Sequence, residues 1–299
     1  MSLTQTPPAP VAATPLVRRQ VPRAVRRRRF LVGVAEHSLL IAATIAFVFP
    51  FVFMVLTSLM TTEQSLSPKL WPDPFQWSNY TEVFHQAPML RYALNTLIYS
   101  GLATLGMLVS SIPAAYALAV LRWKGRDVVF LVVLVAMMLP PQVTIVPLYS
   151  MWAQLHLVGT LAPLIIPNWL GDAFSIFLLR QFFLTIPQPY IDSARVDGAG
   201  ELRILLFVVC RLARPAIAAV ALFMFLLTFS DFFGPLLYAG DEEANWTLSV
   251  GLAQFRTLHA VQWNLTLAAT VMVLAPVILL FFFAQKAFVE GVTLTGVKE

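Results

Sequence analysis

The chain has 299 residues, of which 59% are hydrophobic and 12% charged, with a net charge of +5. A soluble domain is roughly 45–50% apolar and about 25% charged. These figures therefore exclude an ordinary water-soluble protein, and they exclude disorder, which needs low hydrophobicity and high charge. The single cysteine, Cys210, excludes a disulfide framework and a multi-cysteine metal site.

Residues 1–17 are rich in Pro, Ala and Thr, and Arg18, Arg19, Arg23 and Arg26 to Arg29 follow them. We read 1–30 as a disordered, basic tail and 31–299 as one membrane domain. A bilayer core needs about 20 mostly apolar residues per helix. Residues 37–62, 92–121, 128–171 and 257–285 contain no Asp, Glu, Lys or Arg. The segments 161–182 and 215–237 each carry one acid, Asp172 and Asp231. The run 128–171 is too long for one span. A turn near His156–Thr160 divides it into a helix over about 128–148 and another over about 161–182. The expected fold is all-α: a polytopic membrane protein with six spans, centred near residues 48, 107, 138, 171, 226 and 274.

Orientation follows the distribution of Lys and Arg. Of 20 such residues, only Lys69, Arg91 and Arg256 fall on one side. The rest place both termini, the loop after span two and the loop after span four in the cytoplasm. The arginine cluster is read as the basic flank that sets this topology, with no nucleic-acid partner and the lipid bilayer as the surroundings.

No phosphate-binding loop, H-E-x-x-H or G-x-S-x-G pattern is present. The expectation is a non-enzyme, with no cofactor and no metal on this chain. His37, His85, His156 and His259 are scattered over different loops and ends. On span two, Gly106, Ser110 and Ala114 recur every four residues, a small-residue face for close helix packing. Acids in lipid are costly and face a cavity or the bundle interior. Asp172 and Asp231, with Asn168, Trp169 and Ser230, are therefore candidates for a polar solute path. The competing reading is an interhelical hydrogen bond or an interfacial position.

The loop after span four, 186–203, has the most distinctive pattern. Pro187 and Pro189 stop one helix and permit another. Tyr190, Ile191 and Ala194 are expected on its apolar face, and Asp192 and Arg195 are spaced for contact. Gly198 is placed to end the helix in the left-handed conformation. A second short helix follows, with Leu202 and Leu205 apolar and Glu201 exposed. The pair forms a compact cytoplasmic knob.

Here the chain resembles the membrane subunits of bacterial ATP-binding-cassette importers of the carbohydrate, maltose-permease type. Asp192-Ser193-Ala194 stands at the family's E-A-A, and Asp197-Gly198-Ala199 follows at the spacing of the carbohydrate branch. Pro215 matches a later proline. Asp replaces the usual Glu at 192, and Cys210-Arg211 stands where Leu-Pro is usual, which predicts a straighter start to span five. Further likenesses are Ala114-Ala115-Tyr116-Ala117 with Gly125-Arg126, Met138-Leu139-Pro140-Pro141-Gln142, Phe229-Ser230-Asp231-Phe232-Phe233 with Pro235-Leu236, and the tail from Gln285 to Lys298.

The resemblance implies a multi-pass subunit of the bacterial plasma membrane. Its implied partners are a second, homologous permease subunit, two cytoplasmic ABC ATPase subunits that bind the ATP, and an extracytoplasmic sugar-binding protein. Asp192, Ser193, Ala194, Asp197, Gly198, Ala199 and Glu201 would form the coupling helix docked on an ATPase. Gly296, Val297 and Lys298 would make a second ATPase contact. The loop 240–258, with Asp241, Glu242 and Glu243, would meet the binding protein. The spans hold acids and no buried arginine, which disfavours a strongly anionic solute. A polyol or glycerol phosphate importer is the alternative, and a self-sufficient secondary transporter a more distant one.

Overall fold

The computed structural model describes residues 23–240, 242–253 and 262–293. Most of the tail 1–30, Asp241, Arg256, and Gly296, Val297 and Lys298 lie outside the described residues. All regular structure among the described residues is helical. In chain order the α-helices are α1 (Arg23–Ser58), α2 (Thr62–Ser65), α3 (Asn79–Gln86), α4 (Met89–Ala119), α5 (Arg126–Met138), α6 (Pro141–Gln154), α7 (Ala162–Ile165), α8 (Ala173–Phe183), α9 (Gln188–Val196), α10 (Glu201–Ile204), α11 (Cys210–Leu212), α12 (Arg214–Phe229), α13 (Phe233–Tyr238), α14 (Leu248–Ala253) and α15 (Trp263–Thr293). A 3-10 turn, Ile166–Leu170, joins α7 to α8, and a π-helical turn, Leu205–Val209, joins α10 to α11.

Met1–Phe53 and Met54–Glu299 are separate compact units. The first contributes most of the span Val32–Ser58. Met89–Ala119, Ala162–Phe183 and Trp263–Phe282 are also long and apolar enough to cross a bilayer. Two bent pairs raise the number of spans from four to as many as six.

Three expected spans are broken, two of them where proline or glycine interrupts the backbone. Span three is two helices, α5 and α6, bent by 95° about Leu139 and Pro140. Tandem Pro140 and Pro141 remove two donors, and Leu139 adopts the extended conformation a following proline favours. Span four is interrupted at Gly171, whose φ is +105°, and α8 begins only after it. Span five ends its main helix at Phe229, and α13 resumes after Ser230-Asp231-Phe232. Its start is not straight: α12 bends by 83° from the segment Glu201–Leu212, with Ala213 between them and Pro215 in the first turn. The bend forms without Leu-Pro at 210–211, between the π-helical turn and Pro215. The turn near His156–Thr160 forms as expected, with positive φ at His156 and Gly159.

Helix α4 runs through both buried cores. Tyr99, Ala103, Met107, Ala115 and Tyr116 pack with Leu179 and Phe183 of α8 and Val220 of α12. Met89 and Tyr92 pack with Val83 of α3, Phe229 of α12, Leu248 of α14 and Ala268 and Ala269 of α15. Asn79 donates to the carbonyls of Ser58 (2.9 Å) and Met60 (2.8 Å), and Asn264 donates to Asn79 Oδ1 at 3.3 Å. A buried amide thus ties α15 to the chain before α3.

The small-residue face of α4 is an internal seam. The Trp169 indole lies over Gly106, where an added Cβ would sit 2.2 Å from the ring. Ser110 Oγ donates to the Asn168 carbonyl at 3.3 Å. Gly106→Leu should therefore destabilise the chain by about 1–3 kcal/mol through overpacking, lowering the thermal midpoint in detergent. Adding Trp169→Ala should recover part of that loss.

Candidate functional site

The loop 186–203 is built from elementary helix-end chemistry. Pro187 is extended at the N-cap of α9, and Pro189 lies in its first turn. The helix ends in a Schellman motif: Ala199 N–H donates to the Ala194 carbonyl and Gly198 N–H to the Arg195 carbonyl, both at 3.0 Å. Gly198 has φ +79°, the left-handed conformation expected of it. Asp197 is the C-cap of α9, and Gly200 is the N-cap of α10.

The apolar face beneath the loop is Ile191 with half-buried Ala194 and Ala199, continued by Ile186, Ile204 and Leu205 in the α4–α8 core. Tyr190 is not on it. Its side chain is 57% exposed, because adjacent residues on a helix point in different directions. Val196 (87% exposed) and Leu202 (70%) also face outward. Asp192 and Ser193 are exposed, and Ser193 Oγ donates only to the Tyr190 carbonyl.

A charged network crosses the two short helices. Arg195 donates to Asp192 at 3.3 Å and to Glu201 at 2.9 and 3.3 Å. The hydroxyl of Tyr116, on α4, donates to Glu201 Oε2, which also accepts from Arg195 Nη2. The hydrogen bond to Glu201 raises the Arg195 guanidinium above its ordinary range. Glu201 is thus less free than its position implied, since it bridges α9 to α4. Tyr116 was visible in the sequence only as part of Ala114-Ala115-Tyr116-Ala117. Its role follows from the fold.

The candidate path residues divide into two sets. Asp231 Oδ2 accepts from the Tyr99 hydroxyl at 2.9 Å, and Oδ1 accepts from Gly234 N–H at 3.1 Å. Asp231, Ser230, Asn168 and Tyr99 line one open cavity of about 640 Å³, with Thr228, Phe232 and Phe233. Asp172 and Trp169 are not on this lining. Asp172 caps α8 by accepting from Ser175 N–H at 2.7 Å and from its hydroxyl, while its own N–H donates to Ser111 Oγ at 3.2 Å. Trp169 packs over Gly106. Tyr99 lines this cavity and bonds Asp231, and the sequence pattern did not single it out. The available signal was a tyrosine in a charge-free span, whose hydroxyl needs a partner once buried.

At the other end of α4, Tyr92 donates to Glu243 at 2.8 Å, and Arg91 and Asn95 both donate to the Ala244 carbonyl at 2.9 Å. Asn95 also reaches the Trp246 carbonyl at 2.9 Å. Glu243 is therefore engaged within the chain, and Glu242 is exposed. Among the described residues, no group of three or more His, Cys, Asp or Glu could hold a metal ion.

Residues 106–293 match the family described as binding-protein-dependent transport system inner membrane component. The chain belongs to that family. The arabinooligosaccharides transport system permease protein AraQ of Bacillus subtilis is 30% identical over 260 residues, covering 85% of this chain and 92% of that protein. The sn-glycerol-3-phosphate transport system permease protein UgpE of Agrobacterium fabrum is 29% identical over 278 residues, covering 89% of this chain and 98% of that one. A crystal structure of a bacterial ABC transporter involved in the import of the acidic polysaccharide alginate contains a chain of the same fold. Its TM-score is 0.78 at 24% identity, over 89% of this chain and 98% of that chain. The alginate transporter in complex with its pentasaccharide-bound periplasmic protein matches with TM-score 0.64 at 18% identity, over 86% and 93% of the two chains. This permease is thus a multi-pass inner-membrane component of a binding-protein-dependent importer, and the resemblance in its cytoplasmic loop belongs to a likeness that covers most of the chain.

The charged network tests the loop's construction. Glu201→Ala removes both Arg195 contacts and the Tyr116 bond. Arg195 and Glu201 are partly exposed, so their ion pair contributes little, but the buried Tyr116 hydroxyl is left without its partner, and the cost should be about 1–3 kcal/mol. Amide hydrogen exchange should accelerate over 188–203 and not over α4. Unchanged exchange there would show that apolar contacts alone order the loop.

Proposed function

We propose that this permease forms half of the pathway of an ATP-driven sugar importer and is driven through the loop 186–203. The carrying observation is the build of that loop. Ile191, Ile204 and Leu205 anchor it to the α4–α8 core, while Tyr190, Val196 and Leu202 are presented outward. An outward apolar set on a firmly seated knob suits a partner that pushes on it. The partner in this reading is one of two cytoplasmic ABC ATPase subunits, which hold the ATP. Asp192, Ser193, Asp197 and Gly198 lie on the docked surface, and Gly296, Val297 and Lys298 make a second contact. A homologous second permease completes the pathway, and an extracytoplasmic binding protein delivers the sugar. ATP-driven closure of the ATPase pair favours one of two permease states, which is alternating access by differential binding.

The cavity around Asp231 supports a neutral carbohydrate. Its wall offers hydroxyls, an amide and a carboxylate beside Phe232 and Phe233, and it carries no Lys or Arg. A carboxylate facing the path repels an anion and accepts hydrogen bonds from sugar hydroxyls. The name of AraQ agrees with this reading. The name of UgpE supports glycerol phosphate as the second reading, which needs a cation contributed by the partner permease.

Gly198→Trp tests the coupling assignment. The new Cβ meets nothing within 4 Å, so the indole projects outward, and the φ of +79° adds about 1–2 kcal/mol of backbone strain. Membrane insertion should persist, while ATPase co-purification and sugar uptake should fall severely. Wild-type uptake with normal ATPase recovery would refute the docking surface. For the path, Tyr99→Phe removes one hydrogen bond to Asp231, and the apparent affinity for transported sugar should weaken by about fivefold. A change in membrane insertion without a change in uptake affinity would make Tyr99 structural.

A further inference from the structure

A second cavity lies away from both sites, in the bend between Glu201–Leu212 and α12. Its volume is about 610 Å³. One arm contributes Leu206, Phe207, Cys210 and Arg211, the other Arg214, Ile217, Ala218 and Ala221, with Ile112 of α4. Each set follows helical spacing, so each arm turns one face to the groove. The chemistry is divided. Two arginines stand at the bend, and the rest of the wall is apolar.

Neither arginine has a carboxylate partner among the described residues. Arg211 stacks over Phe207, 5.5 Å from the ring centroid, and Arg214 is exposed. No acid lines the groove. Ala221 and Ile112 each lie seven residues inside the span ends at Arg214 and Ala119, about 10 Å along the helix axis. The groove is thus amphipathic along the membrane normal, with cations at the interface and apolar walls running into the bilayer.

The geometry points to a binding site for an anionic phospholipid. Its phosphate sits between Arg211 and Arg214, and one acyl chain lies along Phe207, Ile217, Ala218 and Ala221. Guanidinium groups suit phosphate because they present a planar fork of donors. An arginine at the interface keeps its stem on apolar surface and its head at headgroup depth. A free anion does not need the apolar wall, and a neutral lipid does not need two unpaired cations. The site lies at the joint between the coupling loop and α12, so an occupied groove braces the bend through which the loop is connected to that span. The inference rests on the membrane orientation proposed above. Its readout is lipid binding, not transport, so its failure would leave the importer reading standing.

The test uses the full chain, purified in mild detergent and transferred to nanodiscs. The probes are palmitoyl-oleoyl phosphatidylglycerol and the matching phosphatidylcholine. Cys210 lines the groove and is the only cysteine of the chain, so its maleimide labelling rate reports occupancy without an introduced probe. Phosphatidylglycerol should be retained through detergent washing and should slow Cys210 labelling, and phosphatidylcholine should do neither. Arg211→Gln with Arg214→Gln should weaken retention by roughly fivefold per arginine. The paired lysine variants should keep most of it, which separates charge loss from misfolding. Arg203→Gln, on the same segment but outside the groove, should change nothing. Ala218→Trp should block retention with both arginines intact. Equal losses in the Arg203 variant would mean diffuse surface attraction and would overturn the site. Equal protection of Cys210 by millimolar inorganic phosphate would overturn the lipid in favour of a free anion. Protection that arises only on co-expression of partner subunits would assign the groove to a protein interface.

Discussion

The segment 243–248, the candidate solute cavity and the candidate coupling loop are all fixed against α4, through polar groups that α4 carries into an apolar bundle. A polar group inside a bilayer must find a partner within the protein. Several polar groups of α4 bond to other elements, while Ser100 Oγ and Thr104 Oγ1, also on α4, are buried without a hydrogen-bond partner among the described residues. Tyr92, Asn95 and Thr96 hold the segment 243–248. Tyr99 holds Asp231 at the end of α12. Ser110 and Ser111 hold the broken fourth span. Tyr116 holds Glu201, and the Leu118 carbonyl accepts from Arg180 at 3.1 Å. One helix thereby sets the register of the outer loop, the candidate solute cavity and the candidate coupling loop.

These bonds direct the packing more than they strengthen it. Lipid tails are as apolar as the side chains they would replace, so association depends on close contact and on satisfied polar groups. Gly106 permits the closest contact, with the Trp169 ring where a side chain would otherwise stand. The ion pairs of the loop are 37–62% exposed and contribute little to stability. What seats the loop is Ile191, Ile204, Leu205 and Val209, all buried against α4 and α8.

Helix content, the approximate places of the spans and the loop chemistry were legible in the sequence, because each has a local cause. Charge-free length marks a span, and Pro187, Pro189 and Gly198 act through their own backbone. The breaks were underestimated. Proline is tolerated inside spans, so Pro140, Pro141 and Pro167 did not by themselves dictate a bend. Asp231 was legible as a costly charge, and its partner Tyr99 was not, because 132 residues separate them. Asp172 was legible for the same reason, yet its carboxylate is engaged in capping α8, three residues from Ser175. Hydropathy detects the cost of an acid in a span; only the fold says which neighbour offsets it.

The seating of the loop also decides where motion can occur. Because Ile191 and Ile204 are fully buried in the same core as Leu179 and Phe183, a push on α9 cannot be absorbed by swinging the loop on a hinge. It must move α4 and α8 with it. The compliant places lie elsewhere, where backbone hydrogen bonding is already interrupted: the break at Leu139–Pro140, the bend at Ala213, the turn at Gly171 and the break at Ser230–Phe232. Two of these four border the cavity that holds Asp231, since Asn168 precedes Gly171 and Ser230 follows α12. In the proposed mechanism, a push at one end of α4 would therefore be converted into a change of shape at the cavity. The cavity wall thus lies beside two of the places where the spans are interrupted, at Gly171 and at Ser230–Phe232.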